Sequence, residues 1–160
     1  MKHGTTLFLK IAVILIGIPI LAMCIFLVPG IANFAADMIP EITFMKYLVF
    51  IFLYATAVPF YFALYQAFKL LSYIDKNKAF SELSVRALKN IKYCANIISG
   101  FYVLGMPLFY FVAERDDAPG IIIIGMIIIF ASTVIAVFAA VLQRLLQDAI
   151  TIKSENDLTI

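Results

Sequence analysis

The chain has 160 residues, of which 64% are hydrophobic and 14% are charged, and its formal net charge is +2. Soluble domains carry roughly 45–50% apolar and about 25% charged residues, so the interior of a small globule could not hide this excess of apolar side chains. A lipid bilayer suits the composition instead. The small net charge gives no global electrostatic support for direct nucleic-acid binding.

Four long runs without a charged residue follow one another along the chain. They cover residues 11–32, 47–68, 93–113 and 118–142. About 20 apolar residues are needed for a helix to cross ~30 Å of hydrocarbon, so each run predicts one transmembrane helix. The predicted fold class is all-α: a polytopic membrane protein with a single domain over residues 1–160, built as an antiparallel four-helix transmembrane bundle.

Residues 69–92 form the one long polar interval between these runs. Its cations are Lys69, Lys76, Lys78, Arg86, Lys89 and Lys92. Residues 75–78 predict a turn, and Ser81 predicts the N-cap of the next helix. An apolar helical face is predicted at Leu83, Ala87, Leu88 and Ile91. We therefore expect a helical hairpin that projects beyond the membrane surface.

Lysine and arginine are unevenly distributed among the segments that flank the four runs. Ten lie in the start of the chain, the interval 69–92 and the tail 143–160, whereas the two other connections hold only Lys46 and Arg115. The positive-inside rule then places both termini, the hairpin and the tail in the cytoplasm of a protein of the cell membrane. The helices are expected to extend beyond the membrane on that cytoplasmic side.

The uncharged runs argue against several kinds of membrane chemistry. None contains Asp, Glu, Lys, Arg or His, and His3 is the only histidine in the chain. Ion- and proton-coupled transporters need ionisable groups at membrane depth, thiol oxidoreductases need a redox cysteine pair, and metal-dependent hydrolases need clustered ligands. No nucleophile-elbow or phosphate-binding motif is present. We expect no enzymatic activity, no cofactor and no metal.

Three groups of residues within the runs are candidates for packing or binding. Asn96, Ser99 and Tyr102 form an intramembrane polar cluster that could hydrogen-bond across helices, bind a small ligand or have no specific role. An aromatic stripe recurs every seven residues at Tyr47, Tyr54, Tyr61 and Phe68, which favours packing or interfacial anchoring over a ligand groove. A ridge of small residues at Ser132, Ala136 and Ala140 predicts close approach of another helix, from the same chain or from a second copy in a homo-oligomer.

Two segments resemble a known family. They are Lys78-Ala79-Phe80 with Ala87-Leu88-Lys89-Asn90-Ile91 in the polar interval, and the ending IKSENDLTI over residues 152–160. Both are similar to the family labelled domain of unknown function 2975, which contains small bacterial membrane proteins with four predicted spans. The resemblance extends over essentially the whole chain and implies no catalytic residues. It implies a regulatory association, because similar proteins are often encoded beside a small helix-turn-helix regulator.

Three functional hypotheses remain in addition to insertion in the lipid bilayer. In the first, the protein is an interaction or regulatory module that binds a cytosolic protein through its hairpin and tail. That candidate partner surface comprises Lys76, Lys78, Arg86, Lys89, Lys92, Glu155, Asn156, Asp157 and Leu158. In the second, the bundle binds a small molecule, lipid or peptide, as an immunity or tolerance protein would, and this requires a cavity of drug-like volume. Uncoupled transport, a third alternative, requires a continuous polar lumen.

Overall fold

Five α-helices make up the chain in a computed structural model that describes residues 2–41, 44–117 and 119–158. They are α1 (Lys2–Phe26), α2 (Val28–Met38), α3 (Met45–Asp75), α4 (Glu82–Asp116) and α5 (Gly120–Leu158). All except α2 are long and apolar enough to cross a membrane, which gives four candidate spans. The predicted all-α class with four membrane helices is confirmed.

The first apolar run is divided between two helices. α1 ends at Phe26, and Leu27 separates it from α2. Pro29 lies at the start of α2 and has no backbone N–H, so it cannot donate to the carbonyl of Ile25 one turn earlier. Proline is well suited to the first turn of a helix and poorly suited to a helix interior, which accounts for a break at this point.

The four long helices pack in series. α1 packs on α3, α3 on α4 and α4 on α5, while α2 lies on α3 with smaller contacts to α1 and α4. Within the described part of the chain, α1 does not reach α4 or α5, and α3 does not reach α5. Consecutive members of this row run antiparallel, because the start of each helix lies beside the end of its neighbour. The row is therefore open along its length.

The interface between α4 and α5 is the most extensive in the molecule and follows from the short turn that joins these helices. The buried residues of α5 are all small: Gly125, Ser132, Ala136 and Ala139. Because α5 contacts only α4 among the described helices, these residues serve the contact within the chain. The predicted ridge of Ser132, Ala136 and half-buried Ala140 is thus occupied by α4 of the same chain.

The molecule has two chemically different ends. The basic end contains the start of α1, the connection 76–81 and the last turns of α5. The opposite end contains α2, the start of α3, the end of α4 and the start of α5. A hydrophobic core cluster lies toward the opposite end and combines Ala32, Ala35, Ile39, Met45, Val49 and Val112. α3 begins at Met45, and the side chains of Ile39 and Met45 are both buried.

The basic connection follows the predicted pattern with one correction. Asn77 adopts the left-handed conformation (φ 60°) after the end of α3, which asparagine tolerates. Ser81 occupies the N-cap position of α4, but its hydroxyl donates to the Lys78 carbonyl at 2.5 Å instead of accepting from the helix. In the predicted apolar face, Ala87 and Leu88 are buried and Ile91 is half-buried, whereas Leu83 at the start of the helix is 41% exposed. Ser84 and Val85 are buried as well.

Candidate functional surfaces

The aromatic stripe of α3 faces α1 along most of its length. The hydroxyl of Tyr61 donates to the Gly17 carbonyl at 2.7 Å, and that of Tyr54 donates to the Cys24 carbonyl at 3.0 Å. At the basic end, Lys10 Nζ lies 5.3 Å from the centroid of the Phe68 ring. These contacts make the stripe a packing surface, with hydroxyl groups that add direction to the contact between the two helices.

Asp75 joins α3 to α1 at the basic end. Its carboxylate is 2.9 Å from Lys10 Nζ and accepts a hydrogen bond from the Thr6 hydroxyl, and the two charged side chains are only 19–20% exposed. A carboxylate in the last turn of a helix opposes the helix dipole, so the lysine offsets an unfavourable placement. Sequence reasoning missed this pair because the two residues are 65 positions apart. Only the contact between α1 and α3 brings them together.

The three residues of the predicted intramembrane polar cluster lie in different environments. The hydroxyls of Ser99 and Thr133 are 3.1 Å apart, and Thr133 donates to the Ile129 carbonyl at 2.8 Å, so Ser99 is the donor in this bond between α4 and α5. Asn96 is exposed. Tyr102 packs edge-on against Phe52 with a centroid distance of 5.1 Å. The structure therefore does not bring these residues together in one site.

The cations of the predicted partner surface lie in the connection 76–81 and the first turns of α4. Lys76, Lys78, Arg86 and Lys89 are exposed, and Lys92 is half-buried. Lys89 and Lys92 lie 5.9 and 5.0 Å from the ring centroid of Tyr93, an arrangement typical of the boundary between hydrocarbon and water. These cations do not form ion pairs within the described part of the chain.

The acidic members of that surface lie on a projecting segment of α5. Gln147 donates to Glu82 at 3.2 Å, which joins α5 to the first residue of α4. The helix then continues to Leu158, and every residue from 151 to 158 is exposed, including Glu155, Asn156 and Asp157. At 1.5 Å per residue, Leu158 is ~16 Å beyond Gln147 along the helix. Tail and cations thus lie at the same end of the molecule.

An apolar groove of about 360 Å³ lies toward the opposite end, between α2 and α5 and over the faces of α3 and α4. Its walls include Ile31 and Phe34 from α2 and Ile124 from α5, and its floor includes Phe52 and Tyr102. Tyr102 is the only lining residue whose side chain can form a hydrogen bond. The groove exists because α2 and α5 both pack beside α4 without contacting each other in the described structure. The sequence contains no pattern that predicts it.

An ion pair lies at the same end of the molecule as the groove. Arg115 donates to Glu41 at 2.8 Å, which links the connection after α2 to the last turn of α4. The pKa of the Glu41 carboxyl is lowered, first by a hydrogen bond from its own backbone N–H and then by the hydrogen bond from Arg115. Glu41 is therefore ionised at neutral pH. Among the described residues, no three His, Cys, Asp or Glu side chains converge as a metal site would require.

Four long apolar helices joined by short polar connections define a polytopic helical membrane protein. The chain belongs to the family described as Protein of unknown function (DUF2975), whose pattern matches residues 30–160. It is 74% identical over 160 residues, covering all of both chains, to the uncharacterized membrane protein YoaS of Bacillus subtilis (strain 168). No solved structure matches the chain. The resemblance inferred from the polar interval and the ending is thereby confirmed.

Proposed function

We propose that the protein is a regulatory membrane protein that binds a cytosolic protein through its basic end. The excess of ten cations at this end over two at the other supports a cytoplasmic orientation. The family association suggests a small helix-turn-helix regulator as the partner. A binding role, and not catalysis, agrees with four apolar runs that contain no Asp, Glu, Lys, Arg or His.

The observation that carries the proposal is the projecting end of α5. Residues 151–158 remain helical although all of them are exposed. Ile152 is 65% exposed and Leu158 is 83% exposed, and they flank the charged residues Lys153, Glu155 and Asp157. A short helix in water gains little from its own hydrogen bonds, so a helical end whose side chains are all exposed is suited to folding against a partner. The partner is expected to offer an apolar groove flanked by charged side chains.

The test measures binding of a purified small helix-turn-helix regulator to the full chain reconstituted in nanodiscs. The double substitution Ile152→Ala with Leu158→Ala should raise the dissociation constant by about tenfold or more, because buried apolar anchors dominate such interfaces. Val141→Ala with Leu145→Ala is the matched control, since these residues are 49% and 59% exposed on the same helix. The control should bind as the native chain does. Failure of the native chain to bind, or equal binding by the anchor variant, would refute the proposal.

The alternative function, ligand binding within the membrane part, is supported by a different observation. The groove between α2 and α5 has a volume of about 360 Å³, and ligand cavities typically measure roughly 300–1,000 Å³. Its nearly complete apolar lining favours a lipid over a polar small molecule or a peptide. This ligand site lies away from the basic end, so the two functions are compatible in one molecule.

A further inference from the structure

We propose that the groove between α2 and α5 holds one acyl chain of a glycerophospholipid whose headgroup carries both a phosphate and an amine. The first support is the environment of the groove. Its walls on α3, α4 and α5 belong to candidate membrane spans, so its open side faces hydrocarbon. Tyr102 supplies the only polar group of the lining, and no charged side chain is present to receive an ionised ligand group. A hydrocarbon chain satisfies such a site without an uncompensated polar atom.

The dimensions and direction of the groove also fit an acyl chain. On α4 the lining residues extend from Tyr102 to Val112, and on α5 from Ile121 to Ile128. At 1.5 Å per residue these stretches are ~15 and ~10 Å long. Both run along the helix axes, from the opposite end toward the middle of the spans. A lipid whose headgroup lies at the membrane surface near the opposite end would extend its acyl chain in this direction, with the terminal methyl group near Tyr102.

Charged residues continue the walls of the groove toward the membrane surface. Lys46 lies one turn before Val49 on α3, and Arg115 lies one turn after Val112 on α4. Because residues three positions apart share one face of a helix, each cation lies on the same helix face as a residue that lines the groove. Lys46 is exposed and forms no ion pair within the described part of the chain. A lipid phosphate is therefore the group that these cations would bind.

The same end also carries carboxylates, and their negative charge determines which lipid headgroup fits there. The segments 33–46 and 114–119 contain five acidic residues against two basic ones. Glu41 is ionised and bonded to Arg115. An anionic headgroup would meet net repulsion here, whereas an amine-bearing headgroup places its phosphate near Lys46 and its ammonium near the carboxylates. Charge complementarity therefore favours a zwitterionic lipid such as phosphatidylethanolamine.

Native mass spectrometry of the full chain in mild detergent tests the proposal, after exposure to equal amounts of phosphatidylethanolamine and phosphatidylglycerol. We expect one retained lipid per chain, with phosphatidylethanolamine preferred. Ile124→Trp should lower the retained fraction about tenfold by displacing methylene groups from the groove. Ile127→Trp is the matched control: both isoleucines are 60% exposed, but only Ile124 lines the groove. The control variant should retain lipid as the native chain does.

A second variant separates the headgroup from the chain and guards against misfolding. Lys46→Gln should reduce the retention of phosphatidylethanolamine about threefold while leaving the thermal unfolding of the protein unchanged, because it removes one exposed charge. Ile31→Trp, on the facing wall formed by α2, should repeat the effect of Ile124→Trp. The proposal is overturned if no lipid is retained, if both tryptophan variants retain it like the native chain, if the anionic lipid is preferred, or if a second copy of the chain is retained instead of lipid.

Discussion

Gly125 is the residue at which a single added methyl group has the clearest expected effect. A Cβ atom built at this position lies 2.7 Å from Cδ2 of Phe109 and 2.9 Å from the sulfur of Met106. Both side chains would have to move, and the Phe109 ring also forms part of the groove. We predict that Gly125→Ala lowers the free energy of unfolding by about 1–3 kcal/mol, the usual cost of overpacking. Reversible unfolding in mixed micelles measures this change.

Gly100 provides the matched control on α4. A Cβ atom there meets nothing within 4 Å. Gly100→Ala should therefore be neutral or stabilising by about 0.5–1 kcal/mol, because alanine loses less backbone freedom than glycine when a helix forms. Opposite signs for the two substitutions are the expected outcome. A neutral Gly125→Ala would show that the contact between α4 and α5 tolerates a wider spacing.

Among the described helices, α1 has the weakest attachment to the rest of the molecule. It packs on α3 and touches α2, but its apolar side chains are mostly exposed. Polar contacts, namely hydrogen bonds and an ion pair, therefore contribute more to holding α1 in place, relative to apolar burial, than they do for α4 and α5. Tyr54, Tyr61 and Asp75 of α3 supply these polar contacts.

We predict that Asp75→Asn releases the first turns of α1. The substitution removes the ion pair with Lys10, whose nitrogen is 2.9 Å from the carboxylate in a partly buried site. A loss of about 1–2 kcal/mol corresponds to amide hydrogen exchange that is roughly five- to thirtyfold faster at the start of α1. Asp148→Asn is the control, because Asp148 is exposed and forms no ion pair in the described chain. Equal exchange in the two variants would contradict a role for Asp75 in holding α1.

The number and approximate extent of the long helices could be predicted from the sequence, but their order of packing could not. Charge-free runs mark the spans because a bilayer excludes charge, and this signal does not depend on which helices touch. Apart from the small-residue ridge of α5 and the aromatic stripe of α3, the faces of the helices carry no such signal, because lipid-facing and protein-facing side chains are both apolar. Thus Ile124 and Ile127 look equivalent in the sequence, although only Ile124 lines the groove. The groove also depends on α2, which Pro29 separates from the first apolar run.

The open row of helices gives the protein two separated surfaces of different character. The basic end presents cations and the projecting end of α5, whereas the opposite end presents the groove and all five carboxylates that lie outside the polar interval and the tail. α4 connects them, since it carries Arg86 and Lys89 in its first turns and Tyr102 and Val112 farther along. Its contact with α5 is the most extensive in the molecule, so the paired helices α4 and α5 connect the two surfaces.

The orientation of the molecule across the membrane can be tested by cysteine labelling. Ten of the twelve lysine and arginine residues belong to the start of the chain, the polar interval or the tail, which should keep the basic end in the cytoplasm. In a background with Cys24→Ala and Cys94→Ala, a membrane-impermeant maleimide should label Glu114→Cys in intact cells. It should label Lys78→Cys only after the membrane is permeabilised, and the cysteine-free background should remain unlabelled in both conditions. Both Lys78 and Glu114 are exposed, so access across the membrane decides the result. Labelling of Lys78→Cys in intact cells would reverse the orientation, and with it the cytosolic partner proposed for the basic end.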